Sequence, residues 1–175
     1  AFALGDGSGR FTLRGGRLQA ELAFPESRLT ATARGPLDRN GPIAVRVEAK
    51  DLALAPTLRR LGLAHESGVD GTLSAVADVT VPIAEPSAAR GMVTLDPVRL
   101  VVVEEEWANR GPVVLRWEPT GLAIDRLHLA GRLGDLQASG RWDPRGALGL
   151  QITGQFPLTM LPLFRPEIRE AAGTL

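Results

Sequence analysis

The stretch that decides the fold reads Leu73-Ser74-Ala75-Val76-Ala77-Asp78-Val79-Thr80-Val81. Apolar residues occupy every odd position of it, and polar residues stand between them, with Val76 as the one apolar exception. A period of two is typical of a β-strand that has one buried face and one face in water. The stretch therefore predicts a half-buried strand.

The same alternation continues on both sides of this strand. Toward the N-terminus the apolar positions are Leu18, Ala20, Leu22, Phe24, Leu29, Ala31, Ala33, Ile43, Val45, Val47 and Ala49, and similar runs follow as far as Ile152. Glycine and proline turns separate the runs by roughly 8–14 residues, as in an antiparallel meander. Asn109-Arg110-Gly111-Pro112 is interpreted as one of these turns. We expect about a dozen strands in an all-β, mainly antiparallel chain.

Two stretches depart from the alternation. Residues 56–63 begin with Pro56, which suits the first turn of a helix, and continue with apolar residues at irregular spacing. Residues 158–164 are similar, although Pro162 limits any helix there to about one turn. Each is predicted to be a short helix or apolar loop that covers one side of the sheet.

Composition excludes several classes of function. The chain has 175 residues, with 20 basic and 20 acidic side chains, so it lacks the positive field that nucleic acid or an anionic membrane surface requires. It has no cysteine and only two histidines, His65 and His128, which leaves little for a zinc site. No apolar run approaches the roughly 20 residues of a transmembrane helix. We expect no cofactor, no metal and no nucleic-acid partner.

Catalytic patterns are also missing. His128 stands between Leu127 and Leu129, which places it on the wet face of a strand, and His65 lies in a predicted loop beside Glu66 and Ser67. Residues 5–9 lack the lysine of a phosphate loop and the spaced carboxylates of a calcium loop, and are interpreted as a turn. Residues 104–106 are three glutamates whose side chains alternate in direction, which favours a solvated hairpin tip. The sequence therefore predicts a protein that is not an enzyme.

An internal repeat follows from the order of these elements. Gly71-Thr72-Leu73 and Gly173-Thr174-Leu175 lie 102 residues apart, and each follows an alternating strand and one of the two short apolar stretches. Such a period predicts an array whose units continue one sheet. The expected division is a partial unit over 1–70, one unit over 71–172 and the start of the next over 173–175. We expect a fragment of a longer protein.

Two segments carry a resemblance to a known family. Residues 141–158, which read Arg-Trp-Asp-Pro-Arg-Gly-Ala-Leu-Gly-Leu-Gln-Ile-Thr-Gly-Gln-Phe-Pro-Leu and are followed by Ala172-Gly173-Thr174-Leu175, resemble the repeat of TamB/AsmA-like proteins. Residues 90–95 together with 109–115 resemble it as well. The resemblance covers most of 65–175 and rests on glycine and leucine punctuation and on the order of elements.

The resemblance implies a fold, a place and partners. TamB-like proteins are anchored in the inner membrane of diderm bacteria and extend through the periplasm as a strongly curved sheet, the β-taco, with an apolar trough. They are similar to bridge-like lipid transfer proteins, carry phospholipid toward the outer membrane and pair with a BamA-like (TamA-type) outer-membrane barrel. The implied contact with the inner membrane runs through an N-terminal anchor that this chain does not contain.

The apolar face carries the predicted function. An aliphatic face without polar anchors suits acyl chains, so we expect a lipid conduit that supports outer-membrane biogenesis. The predicted lipid-contacting residues are Leu73, Ala75, Val79, Val81, Val93, Leu95, Leu100, Val102, Val113, Leu115, Leu122, Ile124, Leu127, Leu129, Leu136, Ala138, Leu148, Leu150 and Ile152. Trp107, Trp117 and Trp142 fit either a core or groove position or a lipid-interface anchor.

Three alternatives stay open at this point. In a closed β-sandwich, two inner faces cover each other and no trough exists. A periplasmic chaperone or assembly scaffold for outer-membrane proteins such as autotransporters would use the backbone at open strand edges instead of apolar side chains. A purely structural spacer would bind neither lipid nor partner.

Overall fold

The computed structural model describes residues 6–37, 41–60, 69–102, 105–143 and 148–155. These ranges form eleven strands, one short α-helix and one 3-10 turn. All eleven strands belong to one antiparallel sheet, which confirms the all-β prediction. Within the described ranges the strands do not divide into the two packed sheets of a β-sandwich.

The strands follow the alternating runs of the sequence. Their bounds are β1 Ser8–Arg14, β2 Arg17–Phe24, β3 Leu29–Pro36, β4 Pro42–Ala53, β5 Val69–Pro82, β6 Arg90–Val102, β7 Glu105–Asn109, β8 Val113–Glu118, β9 Gly121–Gly131, β10 Asp135–Trp142 and β11 Leu148–Gln155. The alternation breaks off and restarts at two places that the structure shows as continuous strands. The break at 95–100 lies within β6, and the break at 124–127 lies within β9.

The short helix α1 spans Leu54–Arg60 and packs against β5. It begins two residues earlier than predicted, so Pro56 lies within its first turn, where a missing N–H costs no hydrogen bond. The Thr57 hydroxyl donates to the Ala53 carbonyl at 2.7 Å at this end. The predicted end of the helix, His65 and the second short stretch at 158–164 lie outside the described residues, as do the repeat positions 173–175.

Strands β7 and β8 share one position in the sheet. Both run antiparallel to β6, β7 at its end and β8 at its start, and both pair with β9 on the other side. The eleven strands therefore fill ten positions. The prediction of a turn at 109–112 is wrong, because the chain interrupts its pairing there and continues in the same direction. Turn-forming residues also suit a break of this kind, and the neighbouring strands hold the direction on both sides.

The break belongs to a line of irregularities that crosses the sheet. Extra residues at Lys50–Asp51 in β4 and Asp96–Pro97 in β6 lie beside the break at 110–112, and we call these three segments the bulge line. The Asn109 side chain links two segments of the bulge line by hydrogen bonds. Its Oδ1 accepts from the Val98 N–H at 2.7 Å, and its Nδ2 donates to Asp96 and Gly111. Each extra residue shifts the alternation by one, so the apolar side changes from odd to even positions within β4 and β6.

The core of the described chain lies on one side of the sheet near the bulge line. Val98, Val102, Trp107 and Val113 are buried there, and Val113 is the most deeply buried large side chain. Leu100, Leu129 and Leu136 pack against Val102 and Trp107. This cluster joins strands β6–β10 and leaves the outer strands of the described sheet thinly covered.

Candidate functional site

One face of the sheet collects the predicted lipid-contacting residues. Directly opposite residues of antiparallel strands point to the same side. One cross-strand row runs Leu22, Ala31, Val47, Ala77, Val93, Leu115, Ile124, Gly140 and Leu150. By register and alternation eighteen of the nineteen predicted positions, from Leu73 to Ile152, fall on this side. The side chain of the remaining one, Leu148, lies outside the described part of the structure. We call it the apolar face.

The apolar face is larger than the predicted set. Strands β1–β4 continue it, so further apolar residues of this region also belong to it; they are Phe11, Leu13, Leu18, Ala20, Phe24, Leu29, Ala33, Ile43, Val45, Ala49 and Leu52. The same period of two in the sequence places these residues on one face of their strands. They were left out because the predicted site was confined to the unit that begins at residue 71.

Polar side chains are nearly absent from this face. In the described strands, only Glu105 and Asn109 place a polar side chain on it. Both are engaged, because Asn109 bonds the backbone at the bulge line and Glu105 pairs with Arg132 at 2.7 Å. The face therefore offers area for apolar contact and almost no free hydrogen-bonding group.

The apolar face is exposed on the outermost described strands, β1 and β11, and at the last apolar-face position of β8 and of β10. Six of its large side chains show 43–68% of their surface to solvent: Phe11, Leu13, Trp117, Trp142, Leu150 and Ile152. Trp117 and Trp142 flank Leu122 in one cross-strand row, whereas Trp107 is 5% exposed and lies in the core. Trp107 thus occupies a core position and Trp117 and Trp142 lie exposed on the apolar face, while the role of a lipid-interface anchor stays a prediction.

Small side chains form the middle of the face over β3–β5. The residues there are Ala31, Ala33, Val45, Val47, Ala49, Ala75, Ala77 and Val79, and larger leucine, phenylalanine and tryptophan side chains stand on both flanks. A strip of alanine and valine leaves the surface lower than its flanks. Apolar chains that lie along this strip come close to the backbone of the sheet.

Two glycines on this face are required by close neighbours. A methyl group on Gly91 would stand 2.6 Å from the Asp78 carbonyl oxygen of β5, and one on Gly140 would stand 2.3 Å from the Gly149 carbonyl oxygen of β11. Only glycine fits at such distances. At both positions the backbone of the adjacent strand occupies the space on the apolar side where a side chain would otherwise lie.

The opposite face carries charged side chains. Arg46 contacts both carboxylate oxygens of Asp78 at 2.9 Å and also Glu48 at 2.8 Å, and hydrogen bonds to these two groups raise the pKa of Arg46 above its ordinary value. Arg116 donates to Asp125 at 2.7 Å. Such pairs in water add little stability, and they mark this side of the sheet as the wet one.

His128 lies on this wet face, as predicted from its neighbours, but it has a partner. Its Nε2 lies 2.7 Å from Asp135 Oδ2 across the β9–β10 pair, and this hydrogen bond lowers the pKa of Asp135. No local pattern predicts the pair, because the two residues stand seven positions apart and meet only through the turn at 132–134. The arrangement is a half-buried hydrogen-bonded pair.

Glu105 and Glu106 lie at the start of β7, close to the predicted hairpin tip between β6 and β7, whereas Glu104 is outside the described residues. Residues 6–7 precede β1 as a bend, in line with the predicted turn. No cluster of three or more metal-ligating side chains occurs in the described ranges. None of the helices in the same ranges has the length and apolar character of a membrane span.

Comparison of the chain with protein-family models, with curated proteins and with solved structures gave no match. The described residues form a single antiparallel sheet with one apolar face and one charged face.

Proposed function

We propose that this chain is a non-enzymatic segment of a TamB-like protein whose apolar face holds phospholipid acyl chains and conducts them between the inner and outer membranes. The observation that supports it most is the continuity of the apolar face across all ten strand positions, with six large side chains exposed on it. Exposed apolar patches beyond a few hundred Å² usually mark a binding surface.

The energetics favour acyl chains as the occupant. Burial of a methylene group contributes about 0.8 kcal/mol, so a phospholipid with some 30 methylenes needs about 24 kcal/mol of shielding from water. A few polar contacts do not supply that amount, whereas a long aliphatic surface does. The near absence of free polar groups on the face also suits movement, because no site along it holds one chain much more tightly than the next.

The shape of the face supports the same proposal. At Gly91 and Gly140 the neighbouring backbone stands on the apolar side, as expected where a sheet curls toward that side. A sheet that curls in this direction forms a trough with the apolar face inside. The strip of alanine and valine over β3–β5 then forms its floor, and the exposed tryptophans of β8 and β10 stand on its flank.

A pair of adjacent residues provides the test. Ile152 lies on the apolar face and is 49% exposed, and its neighbour Gln151 lies on the charged face. We expect Ile152→Asp to fold with a loss of roughly 1 kcal/mol, since the carboxylate still reaches water, but to reduce photo-crosslinking of a labelled phospholipid at least tenfold. Gln151→Asp should change neither thermal melting nor crosslinking. Unchanged crosslinking in Ile152→Asp would contradict the proposal.

The resemblance to TamB-like proteins supplies the proposed setting. In it the chain lies in the periplasm of a diderm bacterium, between an inner-membrane anchor elsewhere in the whole protein and a BamA-like outer-membrane barrel. Lipid extraction from the purified protein, followed by mass spectrometry, tests this setting directly. Recovery of phospholipid supports it, and a lipid-free protein that also refuses added phospholipid contradicts it.

An assembly scaffold for outer-membrane proteins is the second candidate, and the β11 edge favours it. β11 is the last strand of the described sheet, and its eight residues include no charged side chain and no proline, which are the usual guards of an edge strand. Such an edge suits pairing with an incoming strand. Lysines at Gln151 and Thr153 should abolish crosslinking of an unfolded outer-membrane protein to this strand while phospholipid crosslinking persists. If crosslinking of the unfolded protein persists and phospholipid crosslinking is lost, the scaffold proposal is contradicted.

A further inference from the structure

A polar depression lies on the charged face of β9–β11, directly behind the apolar face. Its volume is about 490 Å³. Two cross-strand rows form its floor: one joins His128, Gln137 and Thr153, and the other joins Ser139 and Gln151. These five side chains bring amide, hydroxyl and imidazole groups together from three strands.

Two arginines stand over this floor. Arg126 projects from β9 two residues before His128, and Arg110 lies at the bulge line, where its backbone N–H donates to the His128 carbonyl at 2.9 Å. Neither arginine forms an ion pair with another described residue. The Asp125 carboxylate is held by Arg116, whereas the Asp135 carboxylate accepts from His128 and its charge also acts on Arg110. The two arginines therefore face one carboxylate, Asp135, that no arginine pairs with, so the charge of the depression stays positive.

We propose that this depression binds a phosphate group through Arg110 and Arg126. Guanidinium groups present several donors in a planar fork that matches the oxygens of phosphate. Ser139, Thr153 and the amides of Gln137 and Gln151 add neutral donors, so the donor supply exceeds what the two oxygens of a carboxylate use. A cation is disfavoured, because the two arginines outweigh the one nearby carboxylate, Asp135, that no arginine pairs with.

The site is independent of the proposed lipid conduit, since the two occupy opposite faces of the same three strands. Its phosphate can come from a soluble phosphate or from a phospholipid headgroup, and the chemistry that recognises the group is the same. The two sources differ in whether the phosphate is presented in solution or on a membrane surface.

Calorimetric titration of the purified protein with inorganic phosphate tests the site. We expect Arg126→Gln and Arg110→Gln each to weaken binding about tenfold, as the loss of a charge-assisted hydrogen bond does. The matched control is Arg99→Gln, because Arg99 lies on the same face in β6, outside the depression. Ile152→Asp should leave phosphate binding unchanged, which separates this proposal from the conduit.

Vesicles of phosphatidylglycerol form the second arm. If Arg126→Gln weakens vesicle binding as it weakens phosphate binding, the lipid headgroup is a source of the phosphate. If the protein binds phosphate but not the vesicles, the source is a soluble phosphate. The proposal is overturned if the wild-type protein does not bind inorganic phosphate. It is equally overturned if the Arg126 and Arg110 variants bind phosphate as tightly as Arg99→Gln does.

Discussion

The apolar face behaves differently at its middle and at its ends. Near the bulge line, Val113 and Trp107 are 2% and 5% exposed, whereas Phe11 at one end and Ile152 at the other are 68% and 49% exposed. All four are large apolar residues on the same face. Residue type alone therefore does not separate the side chains that hold the fold from those that remain available to a ligand.

The difference follows from position in the sheet. The longest strands, β4–β6, meet at the bulge line, and the side chains there have neighbours on both sides. β1 and β11 are the outermost strands of the described sheet and have a partner strand on one side only. We therefore expect substitutions at the middle to act on stability and the same substitutions at the ends to act on binding.

Val113→Asp should show the largest effect. A carboxylate at this position is buried without a partner, and such a change costs several kcal/mol, enough to prevent folding of a marginal domain. Urea denaturation followed by circular dichroism measures it. Val114→Asp is the matched control, because Val114 lies on the charged face opposite Arg126 and should lose little stability. A folded Val113→Asp protein would remove the distinction between middle and ends.

Trp107 should show an intermediate effect with an unusual pattern. Truncation in Trp107→Ala leaves a cavity in the main cluster and should cost about 3–5 kcal/mol. The indole Nε1 of Trp107 is buried and has no hydrogen-bond partner in the described chain, which is itself unfavourable. Trp107→Phe removes this N–H together with some apolar area, so it should change the free energy of unfolding by less than about 1 kcal/mol. Equal losses in the two variants would show that the indole N–H carries no penalty.

Asp135 should show the smallest effect, and only as a dependence on pH. The hydrogen bond from His128 lowers the pKa of Asp135 below its ordinary value of 3.8, so the pair stabilises the folded protein above that pH. The contribution is lost as the pH falls through the lowered pKa. Asp135→Asn should be slightly less stable than wild type at neutral pH, and the two unfolding curves should converge in acid. A constant difference across the range would exclude this linkage.

Most of the apolar face could be predicted from the sequence, because a period of two depends only on neighbouring residues. Even the change from odd to even positions between Leu95 and Leu100 was visible as a restart of the pattern. The break at 109–112 was misread, because the same residues serve a turn and an interruption. Which of the two occurs depends on whether β6 and β9 pair on both sides of the segment.

The polar depression could not be predicted for a different reason. Arg110, Arg126 and Gln151 are brought together by the register of separate strands, and no local pattern encodes that register. The partnership of His128 with Asp135 needs the same information. A weak signal was present, since Arg126 and His128 alternate with Leu127 and Leu129, but this pattern marks any wet strand face.

The shared position of β7 and β8 has a consequence for extension of the sheet. Because the strands of the described ranges fill ten positions, an even number, β1 and β11 run in opposite directions. A second sheet of the same kind, set beside β11 by simple translation, would present its β1 in the antiparallel sense and bring its apolar side level with the first. At about 4.8 Å per position, each such step advances about 48 Å. The interrupted strand thus gives the described sheet an even number of positions. Copies of such a sheet can therefore be joined edge to edge with antiparallel pairing and with their apolar sides facing the same way.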